Sequence, residues 1–174
     1  MGRWSIAAGA IAAALLAVPA GAQELGWQTY VNDRFGYSVD IPAGYLRPLP
    51  PPENGDGLGF ESVDGAVTLS VFGSNNGLEW TFDEYYEAAL ARDDLGRVTY
   101  QRKAERWYVL SGYRTVSGGS APGEVIFYER VAIDSRGRAI SGLLMQFPPS
   151  LKEFMDPIVT RISRSLTPPS SPDG

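Results

Sequence analysis

Between Ala139 and Phe147 the chain alternates as a strand does, yet it is apolar on both sides. Leu143, Met145 and Phe147 fall on one face, Ile140 and Leu144 on the other. Successive strand residues point to opposite faces, so neither side of this segment suits solvent. It predicts a strand in the middle of a sheet that is covered twice. Three more strands precede it, at roughly Val98 to Lys103, Trp107 to Arg114 and Val125 to Asp134. Tight links at Ala104-Glu105-Arg106 and Ser135-Arg136-Gly137, and a Gly- and Ser-rich loop over residues 117 to 123, imply antiparallel neighbours.

Four shorter strands are expected upstream. Trp27 to Tyr30 leads through a turn at Asn32-Asp33-Arg34 to Tyr37–Ile41, where Tyr37, Val39 and Ile41 alternate with Ser38 and Asp40. Gly59 to Val63 and Val67 to Phe72 flank the hairpin signal Asp64-Gly65. Residues 47 to 57, rich in Pro and Gly, are expected to form a loop without regular structure, and Pro48 to Pro52 a stiff connector.

The period then changes. Phe82, Tyr85, Tyr86, Ala89 and Leu90 share one face of a helix, with Thr81 and Glu84 spaced as a capping box. A second helical pattern runs from Leu151 to Ile162. Ser150 and Glu153 have capping-box spacing, but Pro157 would then sit in the helix interior, where proline is costly. The helix proper is therefore expected to start at Pro157, capped by Asp156 and preceded by one turn. The fold class is α+β: a three-layer α/β/α sandwich around an antiparallel sheet of about six or seven strands. One helix follows the fourth strand and one closes the chain.

The N-terminus carries Arg3, an apolar run from about Ile6 to Val18, Pro19 and then Ala20-Gly21-Ala22. This is the layout of a secretory signal peptide over residues 1–22, cut between Ala22 and Gln23. The run falls short of the roughly 20 residues a bilayer requires, so no membrane span is expected after cleavage. The mature chain is expected in the periplasm or outside the cell, as a single domain over 23–166. Residues 167–174, rich in Pro and Ser, are expected to form a disordered tail.

Composition narrows the chemistry. The net charge is −5, and removing Arg3 with the signal makes it more negative. That argues against nucleic acid, which needs a clustered basic surface. The chain has no Cys and no His. The usual zinc and haem sites, thiol chemistry and an imidazole base are thereby excluded, and no cofactor is expected. Gly118 to Gly123 approximates G-x-S-x-G, but Pro122 occupies the final Gly position and no His can serve as base.

The opening Tyr30-Val-Asn-Asp-Arg-Phe-Gly-Tyr-Ser-Val-Asp-Ile-Pro-Ala-Gly-Tyr45, with this order of elements, resembles the PsbP-like superfamily, which includes a Ran-binding import factor of the Mog type. The segments Ser111 to Arg114 and Phe127 to Arg130 are similar to those of uncharacterised exported bacterial proteins. The resemblance implies a domain that binds or helps assemble larger complexes without catalysing a reaction.

Few residues invite a site. Glu129 shares a strand face with Val125, Phe127, Val131 and Ile133, where a carboxylate must be paired or protonated. Arg114 is the expected partner and Arg102 the second choice; the pair serves either as a structural ion pair or as the polar anchor of a ligand cleft. Glu53, Asn54 and Asp56 bring oxygens together, but no EF-hand fits, because its first and twelfth places would be Pro52 and Val63. Trp107, Tyr108, Tyr113, Phe127 and Tyr128 are expected to be core. The leading expectation is a non-enzymatic exported domain that binds a protein partner in the cell envelope. The alternatives are a small-molecule or lipid carrier anchored by Glu129, and a glycan hydrolase using carboxylates alone.

Overall fold

A computed structural model of the chain describes residues 25–117 and 123–170. The signal segment, most of the 117–123 loop and residues 171–174 lie outside the described residues. β1 (Trp27–Asn32) and β2 (Tyr37–Pro42) form a two-stranded antiparallel ribbon of their own. The main sheet contains β3 (Leu46–Pro48), β4 (Gly57–Ser62), β5 (Thr68–Asn75), β6 (Arg97–Lys103), β7 (Trp107–Val116), β8 (Gly123–Ile133) and β9 (Ala139–Phe147). Its seven strands are all antiparallel, in the order β3-β4-β5-β9-β8-β7-β6.

The two-sided strand β9 lies near the middle, between β5 and β8. On one face, Leu143, Met145 and Phe147 pack with Tyr37, Val39 and Ile41 of β2 and with α2 (Lys152–Ser165). On the other, Ile140 joins Leu110, Phe127 and Val131 beneath α1 (Phe82–Leu90). The α+β, three-layer expectation holds, with the β1–β2 ribbon sharing one outer layer with α2.

Two details differ from expectation. The segment 47–57 is not wholly irregular: Arg47 and Pro48 belong to β3, and Gly57 opens β4. A three-residue strand at the sheet edge tolerates Pro48, whose missing N–H has no ladder partner to lose. Because of β3, α1 follows the fifth strand.

α1 begins as its spacing predicts. The Thr81 hydroxyl accepts from the Glu84 amide at 3.3 Å, and Glu84 accepts from the Thr81 amide at 2.7 Å. α2 does not start at Pro157. A 3-10 turn, Pro149–Leu151, runs directly into it, Leu151 caps it without a side-chain bond, and the Ser150–Glu153 box is not formed. Pro157 lies inside and is exposed. The carbonyl it leaves free, that of Glu153, is on the wet face, where water satisfies it. Starting early also buries Met155 completely beside Ile158 and Ile162, a gain of about 1.5–3 kcal/mol that offsets much of the ~3 kcal/mol cost of an interior proline.

The chain past α2 stays attached. Thr167 donates its amide to the Ser38 carbonyl at 2.9 Å and accepts from the Ser38 amide at 2.7 Å, and the Ser170 hydroxyl donates to the Gly36 carbonyl. Residues 167–170 therefore lie along β2, at variance with the expected disorder there.

Candidate functional site

Glu129 is buried at 3% exposure on the α1 face, as its alternation predicts. Its partners differ from those expected. One oxygen accepts from Arg92 at 2.6 Å and the other from the Tyr108 hydroxyl at 2.9 Å. The β7–β8 register sets Leu110 opposite Glu129 and Arg114 opposite Val125. Four residues along a strand is about 13 Å, too far for Arg114 to reach comfortably. The Arg114 Nε is instead buried with no hydrogen-bond partner among the described residues. Arg102 faces the other side of the sheet. Arg92 was not foreseen, since it sits just past the cap of α1 and meets Glu129 only once that helix is laid on the sheet. Burial, with the carboxylate beside it, raises the Tyr108 phenol well above its ordinary pKa. With both oxygens engaged, Glu129 holds the end of α1 in place.

Asn54 and Asp56 meet within their own loop, the Asn54 amide donating to the Asp56 carboxylate at 2.6 Å. The backbone carbonyls of Asn54, Gly55 and Asp56 accept from Arg34, Asn32 and Tyr37. The loop is thus latched to the β1–β2 ribbon; Glu53 is exposed beside it. Nothing brings these residues to Glu129, which lies across the sheet. Among the described residues, no three Asp or Glu gather closely enough to hold a metal ion.

An uncovered feature lies on the α2 face. α2 packs against β2, β8 and β9, leaving the β6–β7 margin of that face open. Between α2 and β6 run two cavities of about 400 and 330 Å³, which share Tyr100, Tyr128 and Thr160 and so form one groove. Its floor comes from alternate residues of β7 and β8. The expected aromatic core is divided by the same alternation. Tyr108 and Phe127 are buried under α1, whereas Trp107, Tyr113 and Tyr128 turn into the groove. Tyr100, on β6, is 52% exposed at its edge.

One end of the groove is cationic. Arg102 pairs across with Val109, and Val109 with Arg130, so two guanidiniums flank one valine in a single cross-strand row. Both lean over the Trp107 ring, at 5.3 and 5.0 Å from its centroid. Such contacts contribute about 0.5–2 kcal/mol each. Arg130 donates to the Ser163 carbonyl at 2.6 Å, while its Nε is buried without a partner among the described residues. An unsatisfied buried donor costs about 1–3 kcal/mol. Burial also pushes the Arg130 guanidinium below its ordinary pKa. Arg164 of α2 completes the end, and among the described residues no carboxylate lines it. The other end carries the Lys152–Asp156 pair at 2.6 Å.

The adjacency of Glu129 and Arg130 did signal opposite faces. That Arg102, Arg130 and Arg164 converge could not be read, because it depends on where α2 lies.

No family model matches the chain, and no curated protein sequence does. Among solved structures, its fold is that of the PsbP-like proteins. It is similar to cyanobacterial PsbP (CyanoP) from Synechocystis sp. PCC 6803, with a TM-score of 0.58 at 14% identity over 87% of this chain and 96% of that one. PA94 of Pseudomonas aeruginosa, a protein of unknown function, is similar at a TM-score of 0.49 and 11% identity, over 83% of this chain and 99% of that one. The likeness is one of fold, and it is the PsbP-like fold.

Proposed function

We propose that this chain is an exported, non-enzymatic domain of the cell envelope that binds a protein partner through the groove between α2 and β6. The observation that carries the reading is the sheet face left uncovered there among the described residues, with Tyr100, Trp107 and Tyr128 presented beside a strand edge that no described strand pairs with. Aromatic and arginine side chains are the types that dominate binding energy at interfaces. The signal-like N-terminus supports export, and the PsbP-like resemblance supports assembly without catalysis.

Site-specific photocross-linking in the native host tests this. A benzoyl-phenylalanine at position 100 is expected to trap a partner, whereas the same probe at Val63, 79% exposed on the β4–β5 turn, is expected to trap none. Equal trapping at both positions, or none at position 100, overturns the reading. Fractionation of the same cells is expected to place a shortened chain in the envelope; a full-length cytoplasmic chain overturns the export part.

A further inference from the structure

We infer that the arginine end of the groove is a carboxylate-binding site, filled by an acidic residue in an extended segment of the partner. This rests on the reading of the groove as the partner surface. Three arginines elsewhere are paired, Arg47 with Glu61, Arg92 with Glu129 and Arg161 with Asp40. Arg34, Arg97, Arg106 and Arg114 stand singly without a salt bridge among the described residues. What sets the groove apart is that three arginines line one cavity. Arg102, Arg130 and Arg164 form no ion pair among the described residues, although acidic side chains outnumber basic ones in the sequence. Two of these charges share one indole and one strand row, and the third faces them from α2. Among the described residues no carboxylate lines their cavity, at a local electrostatic cost.

The missing group must bring both negative charge and hydrogen-bond acceptors. Arg102, Arg130 and Arg164 line the same end of the groove, and a guanidinium presents a planar fork that suits the two oxygens of a carboxylate. Trp107 and Val109 beneath the site reduce screening by water.

The rest of the groove selects what carries the carboxylate. Beyond Tyr128 its floor turns apolar, with Ile126, Phe147 and Val159, and it is flanked by the hydroxyls of Thr99 and Thr160. A free anion would use only the arginine end. A peptide with one acidic and neighbouring apolar residues fills both halves and can use the flanking polar groups as well. Among the described residues no strand pairs with the outer edge of β6, so backbone groups are also available there. Arg97, Arg102 and Lys103 on that edge repel a second copy of the same strand and favour an acidic one.

The test titrates the purified chain with four probes: a synthetic peptide of alternating valine and glutamate, its glutamine counterpart, inorganic phosphate, and phosphatidylglycerol vesicles. The arginine Nε–H resonances of residues 102, 130 and 164 are followed by NMR. The glutamate peptide is expected to shift all three, to weaken steeply with salt, and to bind at least tenfold more weakly to Arg130→Gln and to Arg164→Gln. Arg164 is exposed, so its variant keeps the test open should Arg130→Gln fail to fold. Equal binding of the glutamine peptide, unchanged affinity in the variants, or shifts with phosphate or vesicles alone overturn the inference. Cross-linking from position 100 is then repeated in Arg164→Gln. Loss of the cross-link supports the inference, and its retention overturns it while leaving the partner reading intact. No cross-link in the parent chain overturns the partner reading itself, whatever the peptide does.

Discussion

Arg92, the residue after the cap of α1, meets Glu129 in the middle of β8 at 2.6 Å, and the second Glu129 oxygen holds Tyr108 at 2.9 Å. One carboxylate therefore ties a helix terminus to two strands. Glu129→Ala would strand a buried phenol and a part-exposed guanidinium together. A loss of about 2–4 kcal/mol in urea denaturation is expected, and about 1 kcal/mol for Arg92→Ala, whose charge already reaches water. The double variant Glu129→Met with Tyr108→Phe should recover most of the loss, because it removes the carboxylate and the phenol together, keeps the volume and leaves only Arg92, which reaches water. If Glu129→Ala is neutral, the ion pair does not hold α1.

Tyr37 and Tyr108 both have phenols raised by burial, the first with Tyr30 adding to the effect and the second with Glu129. In the unfolded chain a phenol ionises near pH 10. Above that pH the unfolded state loses protons that the folded state keeps, so stability falls as pH rises. Stability from this source is complete below about pH 10 and declines above it by up to ~1.4 kcal/mol per pH unit for each phenol. Denaturation curves from pH 8 to 12 should show this slope, and Tyr108→Phe should flatten it. An unchanged slope in that variant would remove Tyr108 as a source.

β6 and β7 change register between Val98 and Tyr100, opposite Gly112 and Ser111. A Cβ at Gly112 would run into the Arg97 carbonyl and approach the Val98 Cα to 2.9 Å. Gly112→Ala is therefore expected to push β6 away and cost about 1–3 kcal/mol. Gly77→Ala, where a Cβ meets nothing within 4 Å, should be near neutral. Equal effects at the two positions would contradict the close approach.

Ser141 is fully buried in β9, and its hydroxyl donates to the Thr167 carbonyl at 2.8 Å. Truncation after Leu166 removes that acceptor and the Thr167 hydroxyl that receives the Ser38 amide. A loss of about 2 kcal/mol is expected by calorimetry or denaturant melts, with faster amide exchange along β2. No change in either would show that this segment contributes nothing to the fold.

The elements best read from the sequence are those whose signal is local. The capping box of α1 needs only Thr81 and Glu84, and the central place of β9 follows from its two apolar faces. β3 escaped because proline argues against a strand in general, while an edge strand has no ladder bond for Pro48 to break. The start of α2 escaped because propensity at Pro157 is weighed against burial of Met155, and burial depends on the sheet beneath. Glu129 was legible as a buried charge needing a partner. Its partner was not, since alternation gives the face of a strand and not the register between strands.

By itself the sequence determined strands and a helix with local patterns, a chain lacking imidazole and thiol, and a carboxylate set into an apolar face. Tertiary structure alone decided that Arg92 rather than Arg114 meets Glu129, and that Trp107, Tyr113 and Tyr128 line a groove instead of filling the core. The physical reason is common to both. Side-chain direction follows from a period of two along one strand, but which residues become neighbours follows from register and from how far α2 extends over the sheet. Three arginines far apart in the chain converge because α2 stops short of β6.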